Sequence, residues 1–188
     1  TSEISGTRLD TYANRPAKER FTNCAPLSSA LINAFTFPAK FSDLFDSSKD
    51  GNFTLPENIS ETNLVLICTG TGIAPFRSII QHIRNNNILY NSIHLIFGAR
   101  FENDILYRQE FENLELQNFT YDIALSRDEN WKGHKGYVHD IYMEKHKIVN
   151  ENTKFLLCGW TAMIDQTIEN LILKLGYDKS QVLYELYG

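Results

Sequence analysis

The 188-residue sequence predicts an α/β fold, with a five-stranded doubly wound parallel sheet over residues 51–188 behind a short irregular segment, 1–50. Three observations predict it. Continuous apolar runs such as Leu64-Val65-Leu66-Ile67-Cys68 read as strands buried on both faces. Stretches with helical apolar spacing separate these runs, so strand and helix alternate five times. The first run ends in Thr69-Gly70-Thr71-Gly72, a turn signal directly before the first helical stretch.

The elements follow in order. Residues 1–50 carry Pro16, Pro26 and Pro38 among clusters of Ser and Asn, and no sheet pattern is legible there. Their one convincing apolar stretch is Leu27–Phe37, which Ser28 or Ser29 suits as a helix cap. Ser47-Ser48-Lys49-Asp50-Gly51 reads as a boundary. Beyond it, Leu64–Cys68 is the first strand, and Ile73–Arg84 a helix with Ile73, Phe76, Ile79, Ile80 and Ile83 on one face. Ile93–Phe97 is the second strand, Ile105–Leu114 a helix, Phe119–Leu125 the third strand and Val138–His146 a helix. Lys154–Cys158 is the fourth strand. Thr161–Leu175 is an amphipathic helix closed by Gly176 at a C′ position, and Val182–Leu186 the last strand.

Composition excludes several function classes. Eighteen Lys and Arg stand against 23 Asp and Glu, a formal charge of −5, so no broad footprint for nucleic acid or anionic lipid is expected. The longest apolar run is five residues, where a membrane span needs about 18 or more. No secretory signal pattern leads the chain, which begins at Thr1 and so is expected to be processed, trimmed or a fragment. Cys24, Cys68 and Cys158 are too widely spaced for a disulfide scaffold or a zinc site, and the five His are scattered. A reducing compartment, the cytoplasm, is the expectation.

The chemistry concentrates at Cys68-Thr69-Gly70-Thr71-Gly72-Ile73-Ala74-Pro75-Phe76. A buried strand ends, two glycines follow and a helix starts. Glycines there let the backbone approach a bulky anion, and the free N–H groups of a helix start attract its charge. Pro75 suits a first-turn position, whose N–H would be unpaired anyway. It stands where the usual dinucleotide fingerprint has a third Gly, so the loop is not the standard Rossmann one. A strand-to-helix turn without a ligand is the alternative.

This string resembles the NAD(P)-binding domain of the ferredoxin–NADP reductase superfamily. So do Gly98-Ala99-Arg100 with Asp104 to Tyr107, Ser126-Arg127 leading to Gly136-Tyr137-Val138, Cys158-Gly159 followed by Met163-Ile164, and the ending Tyr184-Glu185-Leu186-Tyr187-Gly188. The resemblance covers about residues 51–188. It implies an NAD(P)H-dependent flavoprotein that moves hydride to FAD and electrons onward to ferredoxin, flavodoxin or an oxygenase. It implies that Gly70, Thr71, Gly72, Ile73 and Ala74 hold pyrophosphate, with Pro75 beside them in the cofactor site. Ser126, Arg127 and Tyr137, with Lys135 and Arg100, would take the adenosine phosphate. Cys158, Gly159 and Thr71 would line the nicotinamide, Met163 would belong to the cofactor site after them, and Glu185 and Tyr187 would stand by the flavin. Cys158 would position the hydride rather than act as a nucleophile; its bland alternative is a small buried hydrophobe.

In a doubly wound sheet the crevice lies where strand order reverses. If the first and fourth strands are neighbours, the Gly70–Gly72 loop and Cys158-Gly159 face each other across one slot. A side chain at Gly72 is then expected to block the pyrophosphate and spare the fold. Ser126, Arg127 and Arg100 favour NADPH over NADH, while Asp128 and Glu129 would repel a phosphate if they faced it. The family's FAD barrel needs about 100 residues, and only 50 precede residue 51. Its flavin string has a distant echo in Arg20-Phe21-Thr22-Asn23; Gly51-Asn52-Phe53-Thr54-Leu55 is similar to the barrel's exit. The flavin is therefore expected in a missing or partner domain, or the chain is a nucleotide-binding module without catalysis.

Overall fold

The computed structural model describes residues 53, 55, 56 and 58–186. The expectations for residues 1–50, including those at Arg20–Asn23 and Leu27–Phe37, lie outside the described residues, as does Tyr187.

Apolar runs make the strands β1 (Asn63–Thr69), β2 (Ser92–Ala99), β3 (Phe119–Leu125), β5 (Thr153–Gly159) and β6 (Val182–Leu186). A two-residue strand, β4 (His134–Lys135), joins them. The sheet is therefore six-stranded rather than five-stranded, in the order β4-β3-β2-β1-β5-β6 and parallel throughout. β4 pairs only Ala124↔His134 and Leu125↔Lys135, too short a pairing to leave a periodic pattern in the sequence.

Alternation along each strand sends side chains to two cores. Leu64, Leu66 and Cys68 of β1 pack with Ile73, Phe76, Ile79, Ile80 and Ile83 of helix α1 (Ile73–Asn85). Val65 and Ile67 face the other way. They pack with Val138, Ile141 and Tyr142 of α3 (Val138–Lys145) and Met163 and Ile164 of α4 (Thr161–Glu169). β1 is buried on both faces because it lies mid-sheet with helices above and below it.

Two helices depart from expectation. In place of a helix over Ile105–Leu114, a 3-10 turn at Glu102–Asp104 precedes a five-residue helix, α2 (Arg108–Glu112). Tyr107 between them takes a left-handed φ of +53°, which breaks helical continuity. The Asp104 carboxylate accepts the Phe101 amide (3.2 Å), while the Arg108 guanidinium reaches back to Glu102 and forward to Glu112. The last helix is α-helical only to Glu169 and finishes as a π-turn, Asn170–Lys174. There the buried Asn170 side chain donates to the Tyr142 hydroxyl (2.8 Å) and accepts from Lys174 Nζ (2.6 Å). Gly176 closes the turn at φ +84°, as a C′ glycine should.

Candidate functional site

Strand order reverses between β1 and β5, which are neighbours with Cys68 opposite Cys158. The loops at their carboxyl ends carry the glycines read in the sequence, Gly70 and Gly72 on one and Gly159 on the other. They do not face each other across a gap. A Cβ on Gly72 would stand 2.3 Å from the Cys158 carbonyl oxygen and 2.8 Å from the Gly159 nitrogen. A Cβ on Gly159, at φ +141°, would stand 2.4 Å from Thr69 Oγ1. Thr69 Oγ1 in turn accepts the Trp160 amide at 3.2 Å. The two loops are locked backbone to backbone, and a side chain at Gly72 would displace β5 before any ligand arrived. The expectation that such a change spares the fold is overturned.

Gly70 differs. It is exposed, its φ is +54°, and a Cβ there would meet nothing within 4 Å. Glycine is needed for the turn, and the space above it is open to a ligand. Gly70–Gly72 form a 3-10 turn that runs into α1, whose first turn includes Ile73, Ala74 and Pro75. Ile73 itself is buried in the core and its amide already donates to the Gly70 and Thr71 carbonyls, so the groups this loop offers are its other backbone N–H.

Helix starts divide in a telling way. α2 and α3 carry Glu110 and Asp140 in their first turns, whereas α1 and α4 carry no acid there and no side-chain cap. α1 and α4 are the two that follow β1 and β5. Their positive N-terminal ends therefore flank the switch point without an acid in their own first turns, a fit for an anion.

Cys158 is fully buried beside this point. Burial, with the Glu185 carboxylate opposite it in register, pushes its thiol up to about 12, and burial raises Cys68 well above its ordinary value. Both are uncharged near neutral pH, which suits a packing thiol and not a thiolate nucleophile. Glu185 also accepts the Phe53 amide at 3.2 Å. Met163 lies in the core cluster of the α3–α4 face, its sulfur 3.5 Å from the Thr167 hydroxyl.

The other predicted residues gather at the carboxyl ends of β2, β3 and β4. Arg127 is exposed, its amide donating to the Arg100 carbonyl (3.0 Å). The Ser126 amide donates to the Ala99 carbonyl (3.0 Å). Tyr137 is 54% exposed, its ring 6.0 Å from that of His139. Lys135 Nζ donates to the Glu129 carbonyl (2.6 Å). Asp128 accepts two backbone amides, Glu102 (3.1 Å) and Asn130 (3.0 Å). Beside it lies a shallow depression of about 310 Å³ lined by Phe101, Glu102, Asn103, Asp128 and Asn130. Sequence reasoning missed Thr69 and Trp160, whose only signal was adjacency to the glycines, and the brace at Asp128, which had none. Among the described residues, no His, Cys, Asp and Glu cluster could hold a metal and no helix is long and apolar enough to cross a membrane.

Comparison with known proteins agrees with this geometry. The family model described as oxidoreductase NAD-binding domain matches residues 66–169. The chain is 30% identical over 140 residues to the F component of the Na(+)-translocating NADH-quinone reductase of Neisseria meningitidis, covering 69% of this chain and 34% of that one. The corresponding Klebsiella pneumoniae protein is 31% identical over 147 residues, covering 73% and 35%. The chain thus spans about a third of the length of these curated relatives. Among solved structures, a ferredoxin NADP+ reductase from Neisseria gonorrhoeae with bound FAD and NADP superposes with TM-score 0.60 at 27% identity, over 72% of this chain and 61% of that one. Amycolatopsis cytochrome P450 reductase GcoB shares the fold, with TM-score 0.63 at 21% identity over 73% and 41%.

Proposed function

The chain belongs to the oxidoreductase NAD-binding domain family of the ferredoxin–NADP reductase superfamily, and on that premise we propose that it takes hydride from NADPH, or NADH, to a flavin that feeds an electron acceptor. Residues 51–188 are the nucleotide half of this reaction. Residues 1–50 belong to the flavin-binding side, which a further segment or a partner chain completes. The observation that supports this most is at the carboxyl end of β1, where Gly70 turns at φ +54° under open space and leads into a helix start without acids, as is the start of the helix after β5.

In this reading the amides of Gly70, Thr71, Gly72 and Ala74 hold pyrophosphate, Ile73 and Pro75 shape the first turn, and Gly72 sets the loop against β5. Ser126, Arg127 and Tyr137, with Arg100 and Lys135, hold the adenosine end. NADPH fits better than NADH, because the Asp128 carboxylate is engaged by backbone amides and so is not offered to a ribose hydroxyl. Thr71, Cys158, Gly159 and Met163 shape the nicotinamide side. The Cys158 thiol, kept uncharged by burial, packs there and excludes water. Glu185 and Tyr187 stand on the flavin side. The flavin, when bound, supplies two-electron acceptance and one-electron release. The acceptor belongs to the ferredoxin, flavodoxin or oxygenase classes, and the compartment is the cytoplasm, in keeping with Cys68 and Cys158 as free thiols.

The test is titration with NADPH, followed by calorimetry and, in flavin-containing protein, by bleaching of flavin absorbance. Gly70→Ala should cost about 1–2 kcal/mol in stability from its left-handed φ and weaken NADPH binding further by filling the open space. Equal NADPH affinity in both proteins would remove the loop from the site. Colourless protein that binds NADPH would instead support the noncatalytic nucleotide-binding alternative.

A further inference from the structure

We propose that Asp128 is a positioning residue for nucleotide choice: it fixes the Arg127 backbone at the adenosine end by tying the β3 loop to the β2 loop. The inference rests on the NADPH reading above. Arg127 is bracketed on both sides. Its own amide donates to the Arg100 carbonyl at 3.0 Å, and the next residue, Asp128, accepts the Glu102 amide at 3.1 Å. The other Asp128 oxygen accepts the Asn130 amide at 3.0 Å, which turns the chain immediately after the brace.

The anchor at the far end is firm. Glu102 is held by the Arg108 guanidinium, which also pairs with Glu112 (2.7 Å) and lies 5.2 Å from the Trp131 ring centroid. An ionic chain, Glu112–Arg108–Glu102, thus holds the side chain of the residue whose amide Asp128 accepts. Such a brace reduces the freedom lost when an exposed Arg is ordered on an anion, which is how preorganisation raises affinity. It also settles what the acid does beside a cationic site. A free carboxylate would repel a 2′-phosphate. One with both oxygens on backbone amides is engaged instead in shaping the loop.

The two roles predict opposite signs, and that decides the test. Dissociation constants for 2′-phospho-AMP and AMP are measured on the wild-type chain, Asp128→Asn and Asp128→Ala, beside each melting temperature. Both probes bind without a flavin or turnover. Removing the brace should weaken 2′-phospho-AMP about tenfold in Asp128→Ala, the scale of one charge-assisted contact, and leave AMP little changed. Asp128→Asn, which keeps one acceptor oxygen, should fall between. Tighter 2′-phospho-AMP binding in either variant would overturn the proposal in favour of repulsion. Equal weakening of both probes, or no change, would overturn it in favour of a merely structural role. A wild-type chain that does not distinguish the two probes would overturn both this inference and the NADPH reading beneath it.

Discussion

The two ends of the sheet are built by different means. At the amino end, side chains close off the backbone. Gln181 Nε2 donates to the carbonyls of Asn150 (2.9 Å) and Thr153 (2.8 Å), and the Tyr177 hydroxyl donates to those of His146 and Ile148 (3.0 Å each). His94 stands between Asp122 (2.7 Å) and His146 (2.8 Å), with Lys145 on the same Asp122 oxygen. At the carboxyl end, β1 and β5 meet through glycines. Gly72 and Gly159 bring their loops into backbone contact, and two helix starts remain uncapped by side chains. The difference separates tasks. Side-chain hydrogen bonds hold the sheet together at its amino end, whereas β1 and β5 at the carboxyl end meet through backbone, beside the helix starts that the nucleotide proposal uses.

Substitutions test this division. The largest effect is expected from Gly72→Ala. Its Cβ would lie 2.3 Å from a backbone oxygen, so β1 and β5 must separate. Overpacking of this kind costs roughly 1–3 kcal/mol and more where backbone must move. Chemical denaturation should show a loss at or above that range, together with lost NADPH binding. A stable Gly72→Ala protein with unchanged affinity would dissolve the distinction between the ends.

Next comes Gln181→Ala. It would strip a donor from buried carbonyls, at a cost of about 1–3 kcal/mol. Nucleotide affinity, measured where the protein is still folded, should stay at the wild-type value. A parallel fall in affinity would show that the amino end is not independent of the crevice.

The third effect expected is a pH dependence in which the amino end takes part. Burial, with His94 and Lys145 nearby, lowers His146 from 6.5 to about 4. The unfolded chain therefore takes up a proton that the folded chain refuses, and stability falls as pH drops from about 6.5 to 4. Asp122, held at about 2 by its bond to His94, adds a second loss between about 3.8 and 2. Melting temperature against pH should show both limbs, and His146→Gln should reduce only the first, to which burial of His139 also contributes. A wild-type curve that is level from pH 6.5 to 4 would contradict this.

How much of this was legible follows from what each residue does. Leu64–Cys68 announced a strand because both its faces are covered, and Ile73 to Ile83 announced α1 because one face is. The crevice was legible through Gly70 and Gly72, but the reason for Gly72 was not, since its neighbour Cys158 is distant in sequence. Tyr107 broke an expected helix through contacts made by other segments, among them the Arg77 guanidinium 4.8 Å from its ring. Asn170 gave its helix a π-turn through a bond to Tyr142, again across the sequence. His94 and His146 looked scattered for the same reason. Periodicity reports which face is buried; it carries nothing about which polar atoms meet.

The position of β1 between β2 and β5 sets an order of assembly. β1, β2 and β3 are neighbours in sequence order, so this half can pair as each strand becomes available. β5 must cross back to the free edge of β1, closing a far longer loop, and such nonlocal pairings form late. Until it does, that edge is open to other chains, a recognised route to aggregation. The crevice, which needs Gly72 seated on Cys158, is then the last part of the molecule to exist. Pulsed hydrogen exchange during refolding should find β2 and β3 amides protected before those of β5, with nucleotide binding returning no earlier than β5 does.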